Sequence, residues 1–199
     1  MKLLLASKSP RRRQLLAELG YPVEFVDLDV DEHVDPSLPA AAIAEHLARR
    51  KAAQWQAGSP ASDAGGRTVL VTADTVVVHR NQPLGKPADR EAAVAMLRSL
   101  SGDVHQVYTG VCLRPLDDAP ASSLQSFTEC TDVHFKPLSD DEINYYVDHY
   151  RPYDKAGAYG IQEWIGMIGI ERIEGCYYNV MGLPLAALYR HLQRFRCNG

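Results

Sequence analysis

Cysteine is scarce in this chain, and what there is lies scattered: Cys112, Cys130, Cys176 and Cys197, with no C-x-x-C pair among them. That spacing argues against a zinc ribbon and a disulfide framework, and leads us to expect a reducing, cytoplasmic setting. The seven histidines show no metal-ligand spacing either. No apolar run approaches the ~18 residues a membrane span needs, and the chain enters a strand pattern without a signal-peptide pattern. A soluble protein with no membrane partner is the expectation. An excess of basic charge is missing too: the formal net charge is −4, which argues against nucleic acid as a partner. No G-x-x-x-x-G-K-[ST] loop, no protein-kinase signature set and no internal repeat occurs.

What the chain does have is enough apolar residue, 46% of its 199 positions, to bury a substantial core. Strand-like and helix-like segments alternate, which reads as α/β. Residues 3–6 form an apolar strand. Ser9 is a natural N-cap with Pro10 at the first helical position, and the helix runs through Leu15, Leu16 and Leu19 to Gly20. Further strands are expected over 21–30, 68–79, 105–114, 126–135 and 171–180. Helices are expected over 37–56, from the cap Asp89 to Gly102, from the capping box Ser139-Asp-Asp-Glu142 to Tyr150, and from Pro184 onward. Residues 58–66 and 117–122 read as loops, Asn81-Gln82-Pro83 as a turn, and 151–169 as a long glycine- and aromatic-rich loop without a period. Loops of that length inside a compact domain are usually functional.

Local positive charge stands out against the acidic whole. Ser7, Ser9, Arg11, Arg12 and Arg13 follow the first strand directly, where helix N–H groups and forked guanidinium donors suit phosphate oxygens. The bland alternative is a solvated basic helix face. Asp74 interrupts the most strand-like run of the chain, Val69-Leu-Val-Thr-Ala-Asp-Thr-Val-Val-Val78. A carboxylate there must meet a metal, a cation or a water-filled cleft, because an unpaired buried charge is very costly, unless it merely marks a strand end. Lys86 is set between Gly85 and Pro87, and Lys155 precedes Ala-Gly-Ala-Tyr-Gly. Lys51 reads from pattern alone as a solvated helix residue. The acidic cluster Asp27, Asp29, Asp31 and Glu32 lacks the glycine and distal Glu of an EF-hand. The Tyr145/Tyr146/Tyr150 and Tyr177/Tyr178 groups read as core and interface residues.

In order along the chain, Ala6-Ser-Lys-Ser-Pro-Arg-Arg12, Ala73-Asp-Thr-Val-Val77, Gly85-Lys-Pro87, Met96-Leu-Arg-Ser-Leu-Ser-Gly102, Thr109-Gly-Val111, Lys155-Ala-Gly-Ala-Tyr-Gly-Ile-Gln162 and Gly182-Leu-Pro184 resemble the Maf family of nucleoside triphosphate pyrophosphatases. The resemblance implies a single domain over residues 1–199, with a long mixed twisted sheet flanked by helices and two lobes around a central cleft, similar to the inosine triphosphate pyrophosphatases. It implies cleavage between the α and β phosphates with a divalent metal, Mg²⁺ or Mn²⁺, and it makes a homodimer an expectation. The run from Lys155 to Gln162 resembles the branch acting on dTTP and UTP. On that resemblance Asp74 matches the catalytic base, Arg11, Thr75 and Gln162 match specificity positions, and Glu32, Lys51 and Lys86 match polar positions of the cleft. The departures are Glu163-Trp164 after Gln162, where many relatives have a glycine, and a longer loop over 58–66.

The expected chemistry is water attack at the α-phosphorus. Arg11, Arg12, Lys86, Lys155 and the first helix's N–H groups would spread positive charge about the triphosphate, and Asp74 and Glu32 would serve the metal and the water's proton. Arg13 is expected to be a surface charge, since successive helical positions point ~100° apart. The Gln162 amide matches the N3–H and C4 carbonyl of uracil or thymine, provided its loop pins it. Other readings of the same sequence are a 7-methyl-GTP or broad-specificity enzyme, and a nucleotide-binding division regulator with little hydrolysis.

Overall fold

A computed structural model of the chain describes residues 1–28, 30, 38–55, 67–116 and 124–196. The expected loops over 58–66 and 117–122, and Asp29, Asp31 and Glu32, lie outside the described residues. The strands are β1 (Lys2–Ala6), β2 (Val23–Val26), β3 (Thr68–His79), β4 (Gln82–Leu84), β5 (Val104–Pro115), β6 (Gln125–Phe135) and β7 (Ile170–Glu174). The helices are α1 (Pro10–Ala17), α2 (Ala40–Gln54), α3 (Arg90–Leu100), α4 (Asp140–Tyr150), α5 (Trp164–Gly169), α6 (Tyr177–Met181) and α7 (Leu185–Arg196). The strands form one mixed seven-stranded sheet in the order β2-β1-β3-β5-β6-β7, with β4 paired to β3. The α/β reading and its mixed sheet flanked by helices are therefore correct. Among the described residues no helix is long and apolar enough to cross a membrane.

Two compact units divide the chain, with boundaries inside β3, β5 and β6. In the first unit β1 pairs in parallel with β2 and with β3, Leu4 lying opposite Leu70. Alternate residues of a strand face opposite sides, and Leu4, Ala6, Leu70 and Cys112 share one side with Ala48 and Ala52 of α2 and with Trp55, which follows it. Leu3 and Leu5 are fully buried on the other face of β1. A strand covered on both faces needs a continuous apolar run, and Leu3-Leu-Leu-Ala6 is one. Helix α2 lies directly on β5: a methyl added to Gly110 would stand 2.3 Å from the Glu45 nitrogen, so only glycine admits the helix backbone there. The buried Thr72 hydroxyl donates to the Ala48 carbonyl at 2.6 Å and fixes α2 against β3.

The second unit buries Ala93, Val94, Leu97 and Leu100 of α3 and Ile143, Tyr146 and Val147 of α4 against Val107, Val133 and Phe135 of the sheet. Both helices start as their sequences predict. Asp89 accepts from the Ala92 N–H at 2.8 Å, and Ser139 and Glu142 close a reciprocal capping box.

Several expected elements are revised. The turn after β3 is at Arg80 and Asn81, both with positive φ, a two-residue hairpin that leaves Gln82 and Pro83 in β4. The second strand and helix are shorter than expected, Val23–Val26 and Ala40–Gln54. The last strand ends at Glu174, not at 180, because Gly175 takes a φ of 134° and the Cys176 N–H and C=O both bond the Thr131 hydroxyl. Residues 177–181 then form α6, pinned by Asn179, whose amide donates to Val107 O and Thr131 Oγ1. The expected loop over 151–169 contains a 3₁₀ turn, Ala156–Ala158, and α5.

Candidate active site

In the first unit the site starts from the end of β1. The Ser7 hydroxyl accepts from the Ser9 N–H at 3.2 Å, and the Ser9 hydroxyl accepts from the Arg12 N–H at 3.4 Å, which caps α1 as the sequence predicts. Arg12 then turns its Nε onto the Gly182 carbonyl at 2.8 Å, and its guanidinium lies 4.0 Å from Asp74 Oδ1. Arg11 is partly buried.

Asp74 and Thr75 are the only interior residues of β3 that are not buried. Thr72 and Asp74 point to the same side of the strand. Because Thr72 holds α2 at Ala48, Lys51, one helical turn further on, arrives over Asp74, with Nζ 3.0 Å from Oδ1. Both side chains are nearly covered, 12% and 14% exposed. The Asp74 carboxylate therefore has an ammonium and a guanidinium beside it, the compensation a partly buried charge requires. Lys51 is not a solvated helix residue, as its pattern alone indicated. Its partner lies 23 positions away, beyond the reach of any local periodicity.

Arg13 is corrected as well. It is not a plain surface charge: Nε donates to the Ser7 carbonyl at 2.9 Å, a terminal nitrogen meets Asp27 at 2.5 Å, and the guanidinium sits 5.5 Å above the Phe25 ring. It braces the end of β1 against the end of β2.

The remaining expected residues belong to the second unit: Thr75, Lys86, Lys155 and Gln162. Lys86 is exposed, on a turn whose Pro87 is buried. That turn and the 155–162 loop are joined by the Gly157 N–H, which donates to Gly85 O at 3.1 Å. Gly157 has a φ of 71° and packs on Val77, and the following Ala158 is also left-handed at 60°. Lys155 is buried, 8% exposed, with its ammonium shared between Asp154 at 2.7 Å and Glu163 at 3.1 Å. The Gln162 carbonyl oxygen is buried and has no hydrogen-bond partner among the described residues.

Two participants went unrecognised in the sequence. Tyr146 is in the core as expected, but its hydroxyl also donates to Glu163 and accepts from the Gly160 N–H at 3.1 Å. Burial and the neighbouring Glu163 carboxylate push the Tyr146 phenol well above its ordinary pKa. Glu163 itself was visible only as a departure from the glycine common at that place. The signal available was a charged residue following directly on a glycine-rich loop.

Among the described residues no group of three or more His, Cys, Asp or Glu is gathered as a metal cage. Glu32, expected at the metal, lies outside the described residues. A magnesium ion usually takes one or two carboxylates together with substrate phosphates, and the hard-oxygen donor Asp74 fits that kind of site.

A family model described as "Maf-like protein" matches residues 2–195. The chain is 50% identical over 195 residues to a dTTP/UTP pyrophosphatase of Bacteroides fragilis, covering 97% of this chain and 95% of that one. It is 49% identical over 195 residues to the protein of that name in Parabacteroides distasonis, covering 98% and 96%. The corresponding protein of Flavobacterium johnsoniae is 42% identical over 191 residues, covering 96% and 93%.

Proposed function

The chain belongs to the Maf family, and from that premise we propose that it hydrolyses nucleoside triphosphates, preferentially dTTP and UTP, to the monophosphate and pyrophosphate. The observation that carries the reading is the Asp74 carboxylate, set inside an otherwise buried strand and held by Lys51 with Arg12 beside it. The curated relatives that share the chain's length carry that activity in their names.

Glu32 and Asp74 would hold the divalent cation, which when bound would offset phosphate charge. A water attacks the α-phosphorus; the new P–O bond forms as the bond to the bridging oxygen breaks, and pyrophosphate leaves. Asp74 accepts the water's proton, a role worth ~10²–10⁴-fold in general-base catalysis. Arg11, Arg12, Lys86 and Lys155 supply cationic donors for the phosphates, and little covalent work falls to the protein beyond that positioning. Gln162 reads the base. Cys112, Cys130 and Cys176 are scattered and form no disulfide among the described residues, which supports a cytoplasmic setting.

Pyrophosphate release from dTTP, UTP, CTP, GTP and 7-methyl-GTP with Mg²⁺ tests the reading. Turnover of dTTP and UTP above the others is expected. Turnover of 7-methyl-GTP with neither dTTP nor UTP accepted would sink it, as would tight nucleotide binding without release.

A further inference from the structure

Glu163 stands at the N-cap position of α5, yet its side chain makes no capping bond to the helix. Its carboxylate is turned elsewhere. One oxygen is ion-paired with Lys155 Nζ at 3.1 Å and the other accepts from the Tyr146 hydroxyl. The same Tyr146 oxygen accepts from the Gly160 N–H at 3.1 Å, and Tyr146 is wholly buried in the core of the second unit. The Tyr146 hydroxyl thus ties Gly160 and Glu163 to α4, and Lys155 joins through Glu163.

The Gln162 amide lies against this network. A methyl built on Gly160 would stand 2.9 Å from Glu163 Cδ and 3.0 Å from Gln162 Nε2, so the carboxylate and the amide nitrogen both border the space above that Cα. The other end of the amide, Oε1, is buried without a donor among the described residues. An unpaired buried acceptor is costly, and a ligand N–H would remove that cost. A carboxylate attracts an amide N–H and repels an amide carbonyl, so its charge fixes which end of the symmetric-looking amide faces it.

We propose that Glu163 is a specificity-determining positioning residue: its carboxylate, held by Tyr146 and Lys155, keeps Gln162 Nε2 beside it and Oε1 free to accept from the N–H of a uracil- or thymine-type base. This rests on the pyrophosphatase reading above. Uracil and thymine carry a donor at N3, which Oε1 matches. Cytosine carries an acceptor there, and meeting it would require the amide to flip its carbonyl onto the Glu163 charge. Sites that leave a buried polar group unpaired with the wrong ligand reject it strongly.

The test is kcat/KM for UTP and for CTP, by pyrophosphate release, in the wild type, Glu163→Gln and Glu163→Asp, with thermal melts on all three. Glu163→Gln removes the charge at constant shape, and Glu163→Asp keeps it. Glu163→Gln should lower the UTP-to-CTP ratio about tenfold or more through gained CTP turnover, the size of one hydrogen-bond difference, while Glu163→Asp retains most of the ratio. Tyr146→Phe, which keeps the charge and loosens its hold, should lower the ratio in the same direction and serves if Glu163→Gln does not fold. A purely structural role would depress both substrates alike and leave the ratio unchanged, which overturns the proposal; so does a wild type with no preference for UTP over CTP. A wild type that releases pyrophosphate from neither overturns the pyrophosphatase reading itself.

Discussion

Lys51 reaches Asp74 at 3.0 Å because of a contact made one helical turn earlier and two strand positions earlier, between Thr72 and Ala48. The strand's two-residue alternation and the helix's turn come into step at that point. Replacing Asp74 by Asn removes the proton acceptor without changing shape. We expect Asp74→Asn to lose at least ~10²-fold in pyrophosphate release while nucleotide binding, followed by calorimetry, persists. Near-normal turnover would take Asp74 out of the mechanism.

Removing the other partner has a different signature. Lys51→Ala leaves the Asp74 carboxylate mostly covered, with Arg12 at 4.0 Å as its one remaining cationic neighbour among the described residues. Loss of a partner to a partly buried charged group costs about 1–3 kcal/mol. A drop of that size in denaturant-unfolding free energy, together with slower turnover, is expected. An unchanged unfolding midpoint would mean that the pair adds nothing to the fold.

Gly110 gives a prediction about the frame that carries Lys51. A Cβ there would press on the Glu45 nitrogen at 2.3 Å and the Ala44 carbonyl carbon at 2.4 Å, both backbone atoms that cannot swing aside. Gly110→Ala must push α2 off the sheet. Overpacking typically costs about 1–3 kcal/mol, and turnover should fall with stability because Lys51 moves with the helix. The control is Gly85→Ala, where a methyl meets nothing within 4 Å and the melting temperature should stay put.

These residues also show what a sequence can and cannot display. Ser9-Pro10, Asp89 and Ser139-Asp-Asp-Glu142 name helix starts because capping is a bond between near neighbours, and each was found where its pattern put it. Asp74 was visible because a charge in an apolar run has few affordable environments. Lys51 was invisible by the same logic: late in a helix, its own surroundings look solvated, and the strand that covers it is elsewhere in the chain. Helix α5 has six residues, WIGMIG, too few for a period to show, and α6 has five. Arg13, Tyr146 and Glu163 act through partners that no local spacing encodes. Resemblance named candidate residues such as Lys51 that pattern could not, but it marked Glu163 only as a departure and assigned it no role.

His105 makes a prediction that is independent of catalysis. Its ring is fully buried, stacked on Phe135 with centroids 5.6 Å apart, and its Nε2 meets the Tyr159 hydroxyl at 2.7 Å, while Nδ1 has no partner among the described residues. Burial, helped by the nearby His79 and His134 and opposed by Asp103, lowers its pKa from 6.5 to about 3. The unfolded chain therefore takes up a proton as pH falls through 6.5, whereas the folded chain stays neutral until about 3. Between those values the unfolded state binds more protons, so stability falls as pH falls, by up to about 1.4 kcal/mol per pH unit for this one group. The Asp103 carboxyl, held well below the usual carboxylate range by His79, the Val104 N–H and Arg80, loses its contribution only at lower pH. His191, lowered by its own burial, and Glu142, held low by Lys136, act in part of the same range, so it is the comparison with a variant in urea unfolding at pH 6.5, 5.5 and 4.5 that isolates His105. His105→Gln, which keeps a polar partner for Tyr159, should be less stable at pH 6.5 through lost ring packing, yet lose less stability over that range. Parallel pH profiles for the two proteins would show that His105 is not the group that titrates.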